Sequence, residues 1–274
     1  MMRLLAIAAV LLVSSTADAA SAQAVSGASG AVPTVVVTGA NRGLGLAWAR
    51  KYEERGWNVI ATARRPQDAS ELRTLAQQSA RVRIEELDAT DPASVDAFGT
   101  RLTGVPVDVL INNAGTIGEE DEQRFGQLDA GKFDHYMRVN ALSALLVTER
   151  LLPNLRQGRQ KKVAGISARV ASFAAYPRIH SGLYYYKASK AALNMLLRNL
   201  AMDVQQDGIA VAVLSPGVVN TYGTPGNHEA MSPEMRRSMV DIDTSVAGMM
   251  KVMDGLTVEG SGRWYRFSGE VLEW

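Results

Sequence analysis

The chain contains no cysteine, so no disulfide framework holds it together, and the absence is compatible with any compartment. Charge of either sign is barely in excess. The 29 Lys and Arg against 28 Asp and Glu leave +1, and no basic stripe is offered to a phosphate backbone, which excludes nucleic acid as the natural partner and favours a small molecule. Histidine is scarce as well: His135, His180 and His228 share no ligand spacing, so no metal centre is expected. The longest early apolar run, "LLAIAAVLLV", falls well short of the ~20 residues that a membrane span needs. What the chain does have is a 47% apolar fraction over 274 residues, enough to bury one large core in a single domain.

The amino terminus is different in kind. "MMR" is a short basic start, the apolar run follows, and "SSTADAASAQ" then spaces small residues as Ala-x-Ala, the pattern of a secretory signal peptide. Residues 1–22 are therefore expected to be a signal peptide cleaved after Ala22, with Ala19 the second choice. Residues 23–32, rich in Gly, Ser and Ala, read as a flexible lead. Residues 33–274 read as the folded domain. A periplasmic or secreted location is the expectation, with an uncleaved anchor as one alternative and a start at Val25 or Val32, which would leave the protein cytoplasmic, as the other.

From Pro33 onward, β-branched runs alternate with helix-length segments. "TVVVTG" ends at a glycine, "LGLAWARKYEERG" has helical spacing and a glycine stop, and "NVIATAR" is strand-like again. "RVRIEELD", "VDVLINNAG", "KVAGISA" and "IAVAVLSPG" continue the series. Strands separated by helices predict parallel pairing through right-handed crossovers, hence an α/β doubly wound sheet with helices on both faces.

The first strand-to-helix turn carries "TGANRGLG". Glycines there let the backbone approach a pyrophosphate, and the helix start offers unpaired N–H groups and the positive end of the macrodipole. Gly39, Asn41, Arg42, Gly43, Leu44 and Gly45 are the residues expected along it. The alternative reading of such a loop is a tight turn, and its Gly-x-x-x-Gly-x-Gly spacing differs from the Gly-x-Gly-x-x-Gly of most dinucleotide folds.

That spacing, "NNAG" at Asn112–Gly115, "VNALSALL" around Asn140, "YYYKASKAALN" and "SPGVVNT" together resemble the short-chain dehydrogenase/reductase family. The likeness covers most of the chain from Thr34 onward and implies a single-domain Rossmann fold. The ending "GRWYRFSGEVLEW" and the Arg64-Arg65-Pro66 turn resemble its carbonyl-reductase-like branch, also called sniffer- or C-factor-like.

The family motif is Tyr-x-x-x-Lys, and of Tyr184, Tyr185 and Tyr186 only Tyr186 has a lysine four positions on, Lys190. Four residues along a helix share a face. A carbonyl that accepts hydride needs a proton donor, and a phenol of pKa near 10 fills that role when a neighbouring ammonium favours its phenolate. Tyr184 and Tyr185 are read as packing residues ahead of pocket-lining ones, and Lys187 as a solvated charge. The resemblance implies that Lys190 also binds the nicotinamide ribose, that Asn140 bends its helix and holds a relay water, and that a serine supplies a second donor. Among Ser167, Ser172 and Ser181, Ser172 is taken as that donor and Ser167 as structural, although Ala171 stands where the family has glycine.

Cofactor choice follows charge. A 2'-phosphate attracts arginine and repels carboxylates. The second strand runs into Arg64 and Arg65 with no acid at the turn, so NADP(H) is expected, with Arg64 the leading contact, Arg42 next and Arg65 facing water. The resemblance places Asp88 and Ala89 at the adenine, Asn113, Ala114 and Gly115 beside its ribose with Asn112 at the sheet, and Pro216, Gly217, Val219 and Thr221 at the nicotinamide. It implies a substrate lid over "YGTPGNHEAMSPEMRRSM", whose methionines suit an adaptable apolar pocket. The acidic run Gly118–Gln123 reads as a solvated loop near the pocket entrance. The expected activity is NADPH-dependent reduction of an aldehyde or ketone, with alcohol oxidation and non-catalytic dinucleotide sensing as alternatives, in a homodimer or homotetramer.

Overall fold

The computed structural model describes residues 31–175, 182–220 and 237–274. The predicted signal peptide, Ser181, Thr221 and most of the methionine-bearing segment lie outside them.

β1 (Thr34–Val37) is fully buried, and its β-branched side chains pack on both faces of the pleat. α1 (Gly43–Glu54), β2 (Asn58–Ala63), α2 (Ser70–Gln78), β3 (Val82–Glu86), α3 (Pro92–Arg101) and β4 (Val109–Asn112) continue the alternation. α4 (Ala130–Met137) runs through a π-helical turn, Arg138–Leu142, into α5 (Ser143–Arg150). α6 (Leu152–Gln157), β5 (Lys162–Ile166), α7 (Tyr184–Asp203), β6 (Ala210–Ser215), the short β7 (Val218–Val219) and β8 (Met239–Val240), α8 (Ile242–Gly255) and β9 (Arg263–Arg266) follow.

Seven strands form one sheet in the order β3-β2-β1-β4-β5-β6-β9, and every ladder in it is parallel. The direction of travel reverses beside β1, which pairs with both β2 and β4. At such a reversal the loops leaving the strands diverge, and the crevice between them binds ligands in open α/β sheets. Side chains of α1, α2 and α8 cover one face, around Trp48, Tyr52, Leu72 and Met249. Those of α3, α5 and α7 cover the other, around Phe98, Val147, Leu193 and Leu197.

Local signals place several helices. Asp91, Asp129 and Asp241 cap α3, α4 and α8 by accepting from Ala93, Lys132 and Thr244 amides at 3.0, 2.8 and 2.8 Å, the role that short polar side chains fill at helix starts. Gly165 makes room for a side chain of α7. A Cβ at that position would stand 2.2 Å from Leu197 Cδ1, so any side chain there would displace the Leu197 side chain that packs α7 on β5.

Candidate active site

Three chain segments meet where β1, β4 and β5 end. After β1, Gly39 and Gly43 take positive φ of 64° and 56°. A Cβ on Gly39 would lie 2.9 Å from Ala114 Cα, and one on Gly45 2.3 Å from the Gly39 carbonyl. The loop is therefore folded tightly onto itself and onto the segment after β4. Asn113 clamps it: Nδ2 donates to the carbonyls of Thr38 and Gly39 at 3.0 and 3.1 Å. Thr38 Oγ1 accepts in return from the Asn113 and Ala114 amides, both at 3.0 Å. Asn113, expected beside the adenine ribose, thus turns its side chain to the loop backbone. Asn112 lies inside the sheet and donates to Thr148 at 2.9 Å.

The start of α1 carries no side-chain cap and no acidic residue in its first turn, leaving amides and dipole without a local anion. Asn41 and Arg42 are exposed beside it, while Leu44 is half-buried. Arg64 stands exposed where β2 ends, and Arg65 pairs with Asp68 at 3.1 Å near the surface. Asp88 Oδ1 accepts from the Thr90 amide at 3.0 Å and its hydroxyl at 2.7 Å. Burial acts to raise the Asp88 carboxyl, but these bonds and then the Arg64 and His135 charges outweigh it and hold it below its ordinary value.

Lys190 is buried in the first half of α7. Its Nζ donates to the Ile166 carbonyl at the end of β5 at 2.7 Å and lies 6.0 Å from the centre of the Tyr186 ring. Burial pulls its pKa from 10.5 down to about 8, because the low dielectric penalises the ammonium. The i,i+4 spacing read from the sequence therefore brings phenol and ammonium to one place. Asn140, in the π-helical turn, is pinned from both ends of its amide. Oδ1 accepts from the Thr116 amide at 2.8 Å, and Nδ2 donates to the Thr116 carbonyl and to Ser189 Oγ, each at 2.9 Å. Ser189 donates onward to the Tyr186 carbonyl at 2.9 Å. A Cβ on Gly115 would stand 3.0 Å from Asn140 Oδ1 and 3.3 Å from Lys190 Nζ, so Asn140 and Lys190 border the same small space.

Ser172 ends a short 3-10 turn, Arg169–Ala171. Its hydroxyl donates to the Glu273 carbonyl at 2.9 Å and accepts from the Ala175 amide at 3.0 Å, while the Ala174 amide reaches the Trp274 carbonyl at 2.9 Å. Ser167 donates instead to Asn194 Oδ1 inside α7. After β6, the Pro216 carbonyl accepts from Ser245 at 2.7 Å, Gly217 has φ of 83°, and Val219 pairs with Val240.

Three expectations need correction. Tyr185 is buried as expected, against Phe133 and Tyr136 with ring centres 6.0 and 5.4 Å away, and its phenol oxygen accepts from the Asp129 amide. Tyr184, however, is 46% exposed with Phe125 6.3 Å away, so it is no core residue: the first turn of α7 turns it outward. Lys187 is half-buried and burial lowers its pKa, so it is not a freely solvated charge. The acidic run is not simply solvated either. Gln123 is fully buried, and Glu122 is held below its ordinary pKa by hydrogen bonds from Lys132 and then Tyr136. Thr38, Thr116, Ser189 and Gln123 are the site residues that sequence reasoning missed. Of these, only Thr38 had a visible cue, its place directly before Gly39. Among the described residues, no group of three His, Cys, Asp or Glu could hold a metal ion.

The family model for short chain dehydrogenase matches residues 33–232. The chain is 33% identical over 247 residues to 1-hydroxy-2-glutathionyl-2-methyl-3-butene dehydrogenase of Rhodococcus sp. (strain AD45), a match covering 88% of this chain and 99% of that protein. It is 39% identical over 178 residues to C-signal of Myxococcus xanthus, covering 65% and 99% of the two. Among solved structures, NADPH-bound carbonyl reductase from chicken fatty liver superposes with a TM-score of 0.79 at 33% identity, over 89% of this chain and 99% of that one.

Proposed function

The chain belongs to the short-chain dehydrogenase/reductase family of oxidoreductases, and from that premise we propose that it reduces an aldehyde or ketone to the alcohol with NADPH. The observation that carries this reading is the buried Lys190 ammonium, seated on the Ile166 carbonyl at 2.7 Å and 6.0 Å from the Tyr186 ring. The uncapped start of α1, its acid-free first turn and the exposed Arg64 suit a nucleotide with a 2'-phosphate, and the chicken structure was solved with NADPH bound.

In this reading the loop amides from Asn41 to Gly45 take the pyrophosphate, and Arg64 and Arg42 take the 2'-phosphate. Asp88 and Ala89 face the adenine, Ala114 and Gly115 its ribose, with Asn113 holding the loop. Pro216, Gly217 and Val219 border the nicotinamide, and Thr221 lies outside the described residues. The bound cofactor supplies hydride to the carbonyl carbon. Tyr186 gives its phenolic proton to the carbonyl oxygen, and the Lys190 charge favours the phenolate left behind. Lys190 draws a replacement proton from solvent through water that Asn140 would hold in the space the two residues border. Ser172 is the proposed second donor, and to act it exchanges the Glu273 carbonyl for the substrate oxygen.

The Rhodococcus relative is named as a dehydrogenase, which favours a second reading in the oxidative direction through the same residues. NADPH oxidation by protein beginning at Gln23, with aldehydes, ketones and quinones, and NADP reduction with the matching alcohols, separate the two. Tyr186→Phe should lose about 100- to 10,000-fold in rate while still binding NADPH; a variant as active as its parent removes the mechanism.

Export after Ala22 is likewise our proposal, and no helix of the described residues is long and apolar enough to cross a membrane. The exposed Met195 and Met202 of α7 support the homodimer or homotetramer we propose.

A further inference from the structure

α7 begins without a local cap. Leu183, the residue before its first turn, stands in the left-handed region at φ 52° and offers no side chain to the open amides. A Ser, Thr, Asp or Asn there would ordinarily accept from the second or third helical N–H. The third is that of Tyr186. It donates at 2.8 Å to Oε1 of Gln123, 63 residues upstream in the loop after β4.

Gln123 is 0% exposed and engaged at both ends. Its Nε2 donates to the carbonyls of Ile117 and Glu119 at 2.8 and 3.2 Å and to the Tyr136 phenol oxygen at 3.1 Å. Three acceptors on one side and one N–H on the other fix which end of the amide is which. Tyr136 in turn donates to Glu122 at 2.6 Å. Gly118 makes room for it, since a Cβ there would stand 1.4 Å from the phenol oxygen. The same loop carries Thr116, whose backbone clasps Asn140 at both ends of its amide. One loop thus holds the backbone of Tyr186 and the side chain of Asn140.

Resting on the reductase reading above, we infer that Gln123 is a positioning residue, a distant N-cap that fixes Tyr186 by holding its backbone N–H. The first turn of a helix with no such acceptor frays, and Tyr186 lies in that turn. Gln123 touches no reacting atom; it acts through the depth and direction of the phenol.

The test compares the parent chain with Gln123→Leu, Gln123→Asn and Gln123→Glu. Leu removes the acceptor, Asn shortens the side chain by one methylene, and Glu keeps an acceptor oxygen. Carbonyl reduction is expressed per NADPH-binding site, counted by fluorescence titration, so that a loss of folded protein does not register as a loss of rate. Leu and Asn are expected to lower kcat by about 10- to 100-fold, the cost of misplacing a reacting group by about 1 Å, with little change in the KM for the carbonyl. Glu is expected to recover most of the rate at the acid end of the pH profile, where its carboxyl keeps a proton for the Ile117 carbonyl. In hydrogen exchange, the Tyr186 amide should lose protection in Leu and Asn and keep it in Glu. Asn, the milder change, carries the test where Leu yields no folded protein.

Parental kcat per binding site in Leu or Asn overturns the proposal, as does Glu that is as slow as Leu at every pH. The reading beneath it fails by a different sign: a parent that binds NADPH and reduces no carbonyl. The exchange of the Tyr186 amide still reports on the cap in that case, and parental protection in Leu or Asn overturns it.

Discussion

Lys190→Met should make the cofactor-free protein more stable at neutral pH and less stable at high pH. The drop from 10.5 to about 8 corresponds, at about 1.4 kcal/mol for each pH unit, to roughly 3 kcal/mol by which the folded state disfavours the ammonium. Methionine removes that penalty but leaves the Ile166 carbonyl without its donor, a loss of about 1–2 kcal/mol. The net gain at pH 7 is about 1–2 kcal/mol, or a rise in Tm of roughly 2–8 °C for a chain of this size. The sign with pH follows from linkage. Below about pH 8 the lysine is charged in both states and the penalty is complete. Between about 8 and 10.5 the folded protein sheds the proton that the unfolded chain still holds, so parental stability rises with pH relative to the variant. Above 10.5 the penalty is gone and only the missing hydrogen bond distinguishes the two. Thermal melts of both proteins at about pH 7, 9 and 10.5 measure the difference, and groups common to both cancel. A variant that is less stable than its parent by the same amount at all three values refutes the reasoning, because the buried charge would then cost nothing.

Gly45→Ala should abolish nucleotide binding and lower Tm, since its Cβ would meet the Gly39 carbonyl at 2.3 Å and Asn113 Nδ2 at 2.5 Å; titration with NADPH and a melt check both. Arg64→Ala should weaken NADPH by about 10-fold or more, the loss of a charge-assisted phosphate contact, while leaving NADH binding nearly unchanged in parallel titrations. Ser172→Ala should lower kcat by about 100- to 1,000-fold if the hydroxyl stabilises the developing oxyanion, and an undiminished kcat would confine Ser172 to tethering Glu273. Trp274→Ala removes a ring stacked at 5.6 Å on Trp264 and should cost about 2 kcal/mol for a partly buried aromatic, read as a lower urea midpoint.

The sheet was legible because parallel strands covered on both faces are written as continuous apolar runs, such as "TVVV" and "AVAVLS", and the helices between them keep the other period. Tyr186 and Lys190 were legible for a related reason: a four-residue spacing has one geometric meaning on a helix. Gln123 was not, since a glutamine that follows four acidic residues carries no mark of burial, and its partner lies 63 residues away. Tyr184 misled because three adjacent tyrosines leave a helix in three directions, and sequence does not say which direction faces the core. Asn113 was placed by motif at the ribose, but a motif records that a position matters and not which neighbour its amide addresses.

The π-helical turn at Arg138–Leu142 bears on how this protein can be redesigned. Nothing in "RVNAL" forbids an ordinary α-helix, and an algorithm that rewards regular helices would delete one residue there to join α4 and α5 without a break. A π turn takes in one more residue than an α turn, so such a deletion leaves the helices on either side facing as they did and removes the widened turn that carries Asn140. Asn140 would leave Thr116 and Ser189, and the product would be a better helix in a protein that has lost the wall of its site. Ancestral reconstruction and consensus design of this chain should therefore hold the length of that segment fixed and let its composition vary.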